Sequence, residues 1–177
     1  MLISATGTGK TYASAFAMRE LGFQRVLFLV HRNQIAKQAM KSYRKVFGGQ
    51  VVMGLVTGKH QKYDADFVFA TIQTLSKDEI LEKYGKTAFD AIVIDEAHHS
   101  AANSYKKVMD YFQPKLWLGM TATPDKRDDN LDGRNIYEIF NHQIAYEIRL
   151  QDAMEEDLLC PFHYFCLLYT SDAADEG

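Results

Sequence analysis

Only two cysteines occur in 177 residues, Cys160 and Cys166, too few for a disulfide framework or a cysteine-built metal cluster. Long apolar runs are missing as well. None approaches the ~20 residues that a membrane-spanning helix needs, so no membrane partner is expected. Met1 leads straight into a short apolar run and a Gly-rich loop, which predicts no cleavable leader and a cytoplasmic protein. Internal repeats and low-complexity linkers are absent. Charge of one sign is scarce too, at a formal −3, so no basic surface announces itself from composition. What is present is apolar: 47% hydrophobic against 24% charged residues suits one domain with a real core.

Along the chain, continuous apolar stretches alternate with helix-like ones. Strands are expected at residues 1–4, 26–30, 51–56, 67–70, 91–94 and 116–120. Helices are expected at 10–21, 33–46, 73–84 and 102–111. The second of these has Ile35, Ala36, Ala39, Met40 and Tyr43 at three- and four-residue spacing. Strands apolar on both faces, alternating with helices, predict an α/β fold with a parallel sheet covered on both sides. After Pro124 the text becomes highly charged (125–134). A short helix (136–140), a strand (144–148), a helix (150–158) and a beginning strand (162–165) are expected to follow. Tyr111, Phe112 and Trp117 are expected in packing, and the lysines at 41–45, 59–62 and 106–107 on solvated faces.

Two motifs sit at strand ends. Residues 4–11 read Ser-Ala-Thr-Gly-Thr-Gly-Lys-Thr after the first apolar run, and 93–99 read Val-Ile-Asp-Glu-Ala-His-His after another. Gly7 and Gly9 let the backbone turn its N–H groups toward phosphate oxygens, and the following helix adds the positive end of its dipole. Lys10 supplies a mobile charge for the β- and γ-phosphates, and the Thr11 hydroxyl can ligate Mg²⁺. Asp95 can hold the same metal while Glu96 orients or deprotonates a water. The general loop pattern has Gly where this chain has Ser4. Either motif alone has a plainer reading, as a Gly-rich turn or a helix cap. Both in order, on parallel strands opening at one edge, predict an ATP-hydrolysing P-loop site.

The last residues are expected to have another origin. Residues 166–176, Cys-Leu-Leu-Tyr-Thr-Ser-Asp-Ala-Ala-Asp-Glu, resemble the one-frame translation of a transposase-type sequencing adapter. Residues 166–177 are therefore expected to be non-native, with the natural chain continuing past Phe165. Asp172, Asp175 and Glu176 account for the whole formal charge of −3.

Further motifs close other strands: Val30-His31-Arg32, then Ala70-Thr71-Ile72-Gln73-Thr74, then Gly119-Met120-Thr121-Ala122-Thr123-Pro124. With residues 5–11 and 95–98 this series resembles the first RecA-like lobe of superfamily 2 helicases. More narrowly, it is similar to the DEAD/DEAH-type proteins related to the motor subunit of type III restriction enzymes. The resemblance spans essentially all of residues 1–165. It implies a helicase ATP-binding domain over 1–150, a connection at 151–165, and a second RecA-like lobe beyond this chain.

The resemblance also implies roles. Thr6, Gly7, Thr8, Gly9, Lys10 and Thr11 would bind ATP; Thr11 and Asp95 would hold Mg²⁺; Glu96, Asp95 and Lys10 would carry catalysis. His98, Thr121 and Thr123 would couple hydrolysis to lobe movement. Arg32, Thr71 and Gln73 would touch a nucleic-acid backbone, DNA in preference to RNA. Plainer roles stand beside these: Thr71 as a helix N-cap, Thr121 and Thr123 as turn formers before Pro124, His31 and His99 as strand-closing residues. Two other classes also stay open, a nucleotide-dependent binding switch and a different P-loop enzyme such as a small-molecule kinase.

Overall fold

The computed structural model describes residues 2–4, 9–96, 103–121 and 146–148, with side chains for 9–96 and 103–120. Eight strands form one sheet. They are β1 (Leu2–Ser4), β2 (Val26–Val30), β3 (Met53–Thr57), β4 (His60–Gln61), β5 (Phe67–Thr71), β6 (Ala91–Asp95), β7 (Leu116–Thr121) and β8 (Tyr146–Ile148). Their spatial order is β4-β3-β5-β2-β6-β7-β1-β8, and every neighbouring pair is parallel except β3 with β4. The helices are α1 (Lys10–Glu20), α2 (Asn33–Phe47), α3 (Ile72–Leu75), α4 (Asp78–Leu81) and α5 (Asn103–Tyr111).

The period-2 alternation of the strands sorts the core into two layers. Phe28, Phe67, Phe69, Ala91 and Val93 face one side, where Ala15 and Met18 of α1 and Ala36, Ala39, Tyr43 and Phe47 of α2 pack on them. Leu27, Leu29, Val68, Ala70, Ile92 and Ile94 face the other, under α3, α4 and α5. Both faces are covered, and β2 and β5 are buried at every residue. That is why these strands read as unbroken apolar runs. The expected α/β architecture, with helices on both faces of a parallel sheet, is present.

Two expectations need correction. The single helix over 73–84 is two short ones, because Lys77 is extended (φ −72°, ψ 134°) and restarts the chain. Leu75 and Ile80 lie five residues apart, about 140° around a continuous helix. The break lets both be buried in the same layer. The sheet also has an antiparallel edge, the β3–β4 hairpin, closed by the two residues Gly58 and Lys59 between paired Thr57 and His60. The expected helices at 136–140 and 150–158 and the strand at 162–165 lie outside the described residues, as do residues 166–177. No described helix is long and apolar enough to cross a membrane.

Carboxylates clip the amino ends of the strands. Asp66 accepts from Val52 N (3.1 Å), while Asp90 accepts from Gln24 N (3.1 Å), Arg25 N (3.0 Å) and Lys115 Nζ (2.8 Å). The Lys115 ammonium above all, then the two backbone amides, hold the Asp90 carboxyl below its usual range. Its contribution to stability is therefore present above the ordinary carboxylate pKa and is lost as pH falls through the depressed one. Asp90→Ala is expected to cost about 1–2 kcal/mol at pH 7, from two orphaned amides. In urea melts that difference from wild type should shrink below about pH 4. A pH-independent difference would show that the carboxylate charge contributes nothing.

Candidate nucleotide site at the carboxyl edge

Strand register fixes the row on which the site is built. Thr57, Thr71, Val30, Asp95, Met120 and Leu2 lie side by side across six parallel strands. Asp95 ends β6 on the side already faced by Ala91 and Val93, the side where α1 packs. Lys10 and Thr11 open α1 on that same side. One cleft of about 520 Å³ is consequently lined by Gly9, Lys10, Thr11, Asp95 and Glu96 together. Residues 84 or more positions apart in the sequence meet there.

Strand alternation alone would send Glu96 to the opposite face from Asp95. Instead its backbone is left-handed, with φ 54°. For a residue with a Cβ that conformation costs roughly 1–2 kcal/mol. The turn brings Glu96 back to the cleft beside Asp95, and its amide donates to Asp95 Oδ1 (3.1 Å). Strain at such a position is typical of residues placed for function. Asp95 is largely buried. Burial first, then the neighbouring Glu96 charge, raise its carboxyl above the ordinary value, while Lys10 pulls the other way. A carboxylate that is costly to ionise when unaccompanied is a carboxylate suited to a cation.

Gly9 caps α1 with φ 78° and ψ 23°, a conformation that favours glycine, and contributes no side-chain cap to the first turn. The helical ladder begins with Ala13 N to Gly9 O (2.9 Å), so the helix itself offers the Thr11 and Tyr12 amides no acceptor. Behind this turn runs a buried relay. Ser14 Oγ donates to Thr11 O (2.8 Å), which leaves Tyr43 to donate its hydroxyl proton to Ser14 Oγ (2.9 Å). The relay ties the start of α1 to α2 and the aromatic core. Burial pushes the Tyr43 phenol far up, so it stays a donor.

The donors suit magnesium. They are hard oxygens, one hydroxyl and one or two carboxylates, and no group of three His, Cys, Asp or Glu able to hold a metal occurs among the described residues. Mg²⁺ characteristically takes one or two carboxylates and completes its shell with water and substrate phosphates.

The opposite wall of the cleft was not legible as a site. Gln38, Lys41, Ser42 and Lys45 of α2 line it, at i, i+3, i+4 and i+7, and Tyr12 faces them. Hydrogen bonds first from Lys45, then from Ser42, hold the Tyr12 phenol below its usual pKa. The sequence read these lysines as a solvated face; their spacing on one stripe opposite the Gly-rich loop was the available signal.

The expected nucleic-acid residues lie at the same edge, on β2 and β5. Arg32 is exposed and precedes α2, and Gln73 is exposed at the start of α3, its Nε2 3.1 Å from His31 Nδ1. Thr71 is different. It is 6% exposed, and its hydroxyl donates to Thr74 Oγ1 (2.9 Å) and accepts from no amide of the helix that it precedes. Thr121 ends β7, paired in register with Ile3 of β1. Thr6, Gly7, Thr8, His98, His99 and Thr123 lie outside the described residues.

Known proteins share both sequence and fold with this chain. The family described as type III restriction enzyme, res subunit, matches residues 1–126. A Saccharomyces cerevisiae protein named as an ATP-dependent helicase, IRC3, is 28% identical over 97% of this chain and 26% of its own length. The type I restriction enzyme EcoAI endonuclease subunit of Escherichia coli is 29% identical over 92% of this chain and 20% of its own. This chain thus spans about a quarter or less of those relatives. Among solved structures, the Pyrococcus furiosus Hef helicase domain superposes with a TM-score of 0.66 at 23% identity, over 82% of this chain and 34% of that one. The type ISP restriction-modification enzyme LlaGI, in complex with a DNA substrate mimic, gives 0.63 at 20% identity, over 89% and 18%.

Proposed function

This chain belongs to the type III restriction enzyme res-subunit family, and from that premise we propose that it is the ATP-binding lobe of a DNA-dependent motor. The observation that carries the proposal is the convergence of Lys10, Thr11, Asp95 and Glu96 on one cleft at the carboxyl edge. Each has a role there. Lys10 and the first turn of α1 neutralise the β- and γ-phosphates. Thr11 and Asp95 hold Mg²⁺, which when bound spreads the charge of the phosphoryl oxygens. Glu96, fixed by its left-handed backbone, orients the attacking water and accepts its proton. Thr6, Gly7, Thr8 and Gly9 complete the phosphate cradle.

Residues 1–150 form the ATP-binding domain in this reading, and 151–165 lead toward a second RecA-like lobe. His98, Thr121 and Thr123 transmit the state of the nucleotide to that lobe. Arg32, Gln73 and the Thr71 segment meet the phosphodiester backbone, by charge and shape rather than by base sequence. DNA is preferred to RNA because restriction-type proteins are among the relatives and because LlaGI was solved with a DNA substrate mimic.

In such motors the second lobe supplies an arginine that is worth about 10³–10⁵ in rate. The 177-residue chain is therefore expected to bind ATP·Mg and turn it over slowly, with little stimulation by DNA. The full-length protein should hydrolyse ATP faster when single- or double-stranded DNA is added, and less so with RNA. Equal stimulation by RNA would reassign the track. No stimulation by either, with ATP still bound, would favour a nucleotide switch. Strong stimulation of the isolated chain would contradict the need for a second lobe.

A further inference from the structure

The acidic pair that ends β6 acts on a buried tyrosine from each layer of the core. In the α1 and α2 layer it is Tyr43, whose hydroxyl is bound to Ser14. In the other layer it is Tyr105 of α5, 2% exposed, whose hydroxyl is buried and has no hydrogen-bond partner. A buried hydroxyl left unpaired is costly, and such groups are few in folded proteins. Phenylalanine would fill the same space without that cost. Tyr63 and Tyr84 also carry unpaired hydroxyls, but their rings lie together elsewhere, Tyr84 against Phe89 ahead of β6.

Two directions place the Tyr105 side chain. α5 runs back from the carboxyl edge to the amino edge, where Phe112 packs on Phe89 with ring centroids 5.5 Å apart. Tyr105, Val108 and Phe112 form one buried stripe, so Tyr105 stands about 10 Å nearer the carboxyl edge than Phe112. A helical side chain leans toward the amino terminus of its helix, here the carboxyl edge. On the strand, Ile92 and Ile94 face the Tyr105 layer, and a period of two puts residue 96 next in that row. The left-handed backbone turns Glu96 from that row to the cleft, above Tyr105. Burial first, then the Asp95 charge, then the Glu96 charge push the phenol far up, so it stays a donor.

We propose that Tyr105 is a positioning residue for Glu96: during turnover its hydroxyl donates to one carboxylate oxygen and leaves the other to face the attacking water. The proposal rests on the reading of Glu96 as the base. A carboxylate accepts at both oxygens, so one can be held while the other takes the proton from water, and Tyr105 keeps its own. Hydrogen bonds around catalytic groups commonly tighten only in the substrate complex, which a donor kept unpaired beside the base allows. The rival reading is a packing aromatic whose hydroxyl has no task. Only the first predicts slower hydrolysis from a variant that folds as well as wild type.

The test is single-turnover ATP hydrolysis by the full-length protein, with the dissociation constant of ATP·Mg and the melting temperature measured beside it. Tyr105→Phe should slow hydrolysis by about 10–100-fold, the range for one hydrogen bond to a charged group. ATP·Mg binding should stay within about twofold of wild type, because the contact is made to the base and not to the nucleotide. The melting temperature should hold or rise, since an unpaired hydroxyl is removed. Added to Glu96→Gln, Tyr105→Phe should cause no further loss, because the hydroxyl acts only through the carboxylate. Val108→Ala, in the same stripe, is the control, and should lower the melting temperature without slowing hydrolysis. Unchanged hydrolysis in Tyr105→Phe overturns the proposal and leaves a packing aromatic. So does a Phe variant that fails to fold, or a loss that adds in full to that of Glu96→Gln. If Glu96→Gln itself hydrolyses ATP at the wild-type rate, the reading of the base fails, and this inference with it.

Discussion

Glu96→Gln is expected to lower ATP turnover by the full-length protein by about 10²–10⁴-fold, the range for removing a positioned general base. Nucleotide binding should survive. Gln is nearly isosteric, donates and accepts hydrogen bonds, and removes the negative charge that opposes an incoming triphosphate. It also removes the second-largest influence raising the Asp95 carboxyl, the Glu96 charge. The variant should then hold ATP·Mg at least as tightly as wild type while failing to turn it over. Parallel measurement of kcat and of the equilibrium dissociation constant separates these effects. Equal loss of binding and turnover would mean that Glu96 acts as a ligand or a structural prop. Unchanged turnover would mean that the base is another group.

The largest effect on stability is expected at Phe69→Ala. Phe69 is fully buried on the central strand β5, and its ring centroid lies 5.2 Å from that of Tyr43 and 5.6 Å from that of Phe28. Truncation leaves a cavity that a sheet cannot collapse around, at about 3–5 kcal/mol. The lost edge-to-face contact with Tyr43 and the tilted one with Phe28 belong to the same figure. Against a total of about 5–15 kcal/mol this approaches unfolding. A melting-temperature drop of roughly 6–20 °C follows for a chain of this size. Tyr43 is also the donor that braces the first turn of α1 through Ser14, so loosening this layer should weaken ATP binding as well. Phe16→Ala, at a ring 45% exposed on α1, is the control and should change little. A shift in Phe69→Ala as small as that of the control would contradict the two-layer account of the core.

How much of this was legible depended on whether the cause was local. β2, β5 and β6 were read from their apolar runs because burial on both faces leaves no other pattern. Lys10, Thr11, Asp95 and Glu96 were picked out because phosphate chemistry calls for those types beside a strand end, and one cleft is lined by all four. The break at Lys77 was missed because it serves burial: Leu75 and Ile80 must face one layer, and helical periodicity is not read finely enough over so few turns. The β3–β4 hairpin was missed because β4 is two residues long and its turn, Gly58 and Lys59, sits in a stretch that reads as solvated. Neither the left-handed backbone at Glu96 nor the Tyr43–Ser14–Thr11 relay has a sequence signal. The first is imposed by the cleft, and the second joins residues 29 apart through the core. The engagement of the Thr71 hydroxyl with Thr74, in place of a cap on the helix that follows, also had no sequence signal.

The most direct test of the central claim is calorimetric titration of ATP into the 177-residue chain, with and without Mg²⁺, alongside Lys10→Ala. The account predicts Mg²⁺-dependent binding at one site, lost in the variant with no change in melting temperature. Binding that is indifferent to both Mg²⁺ and Lys10 would place the nucleotide elsewhere and contradict the assignment of this cleft.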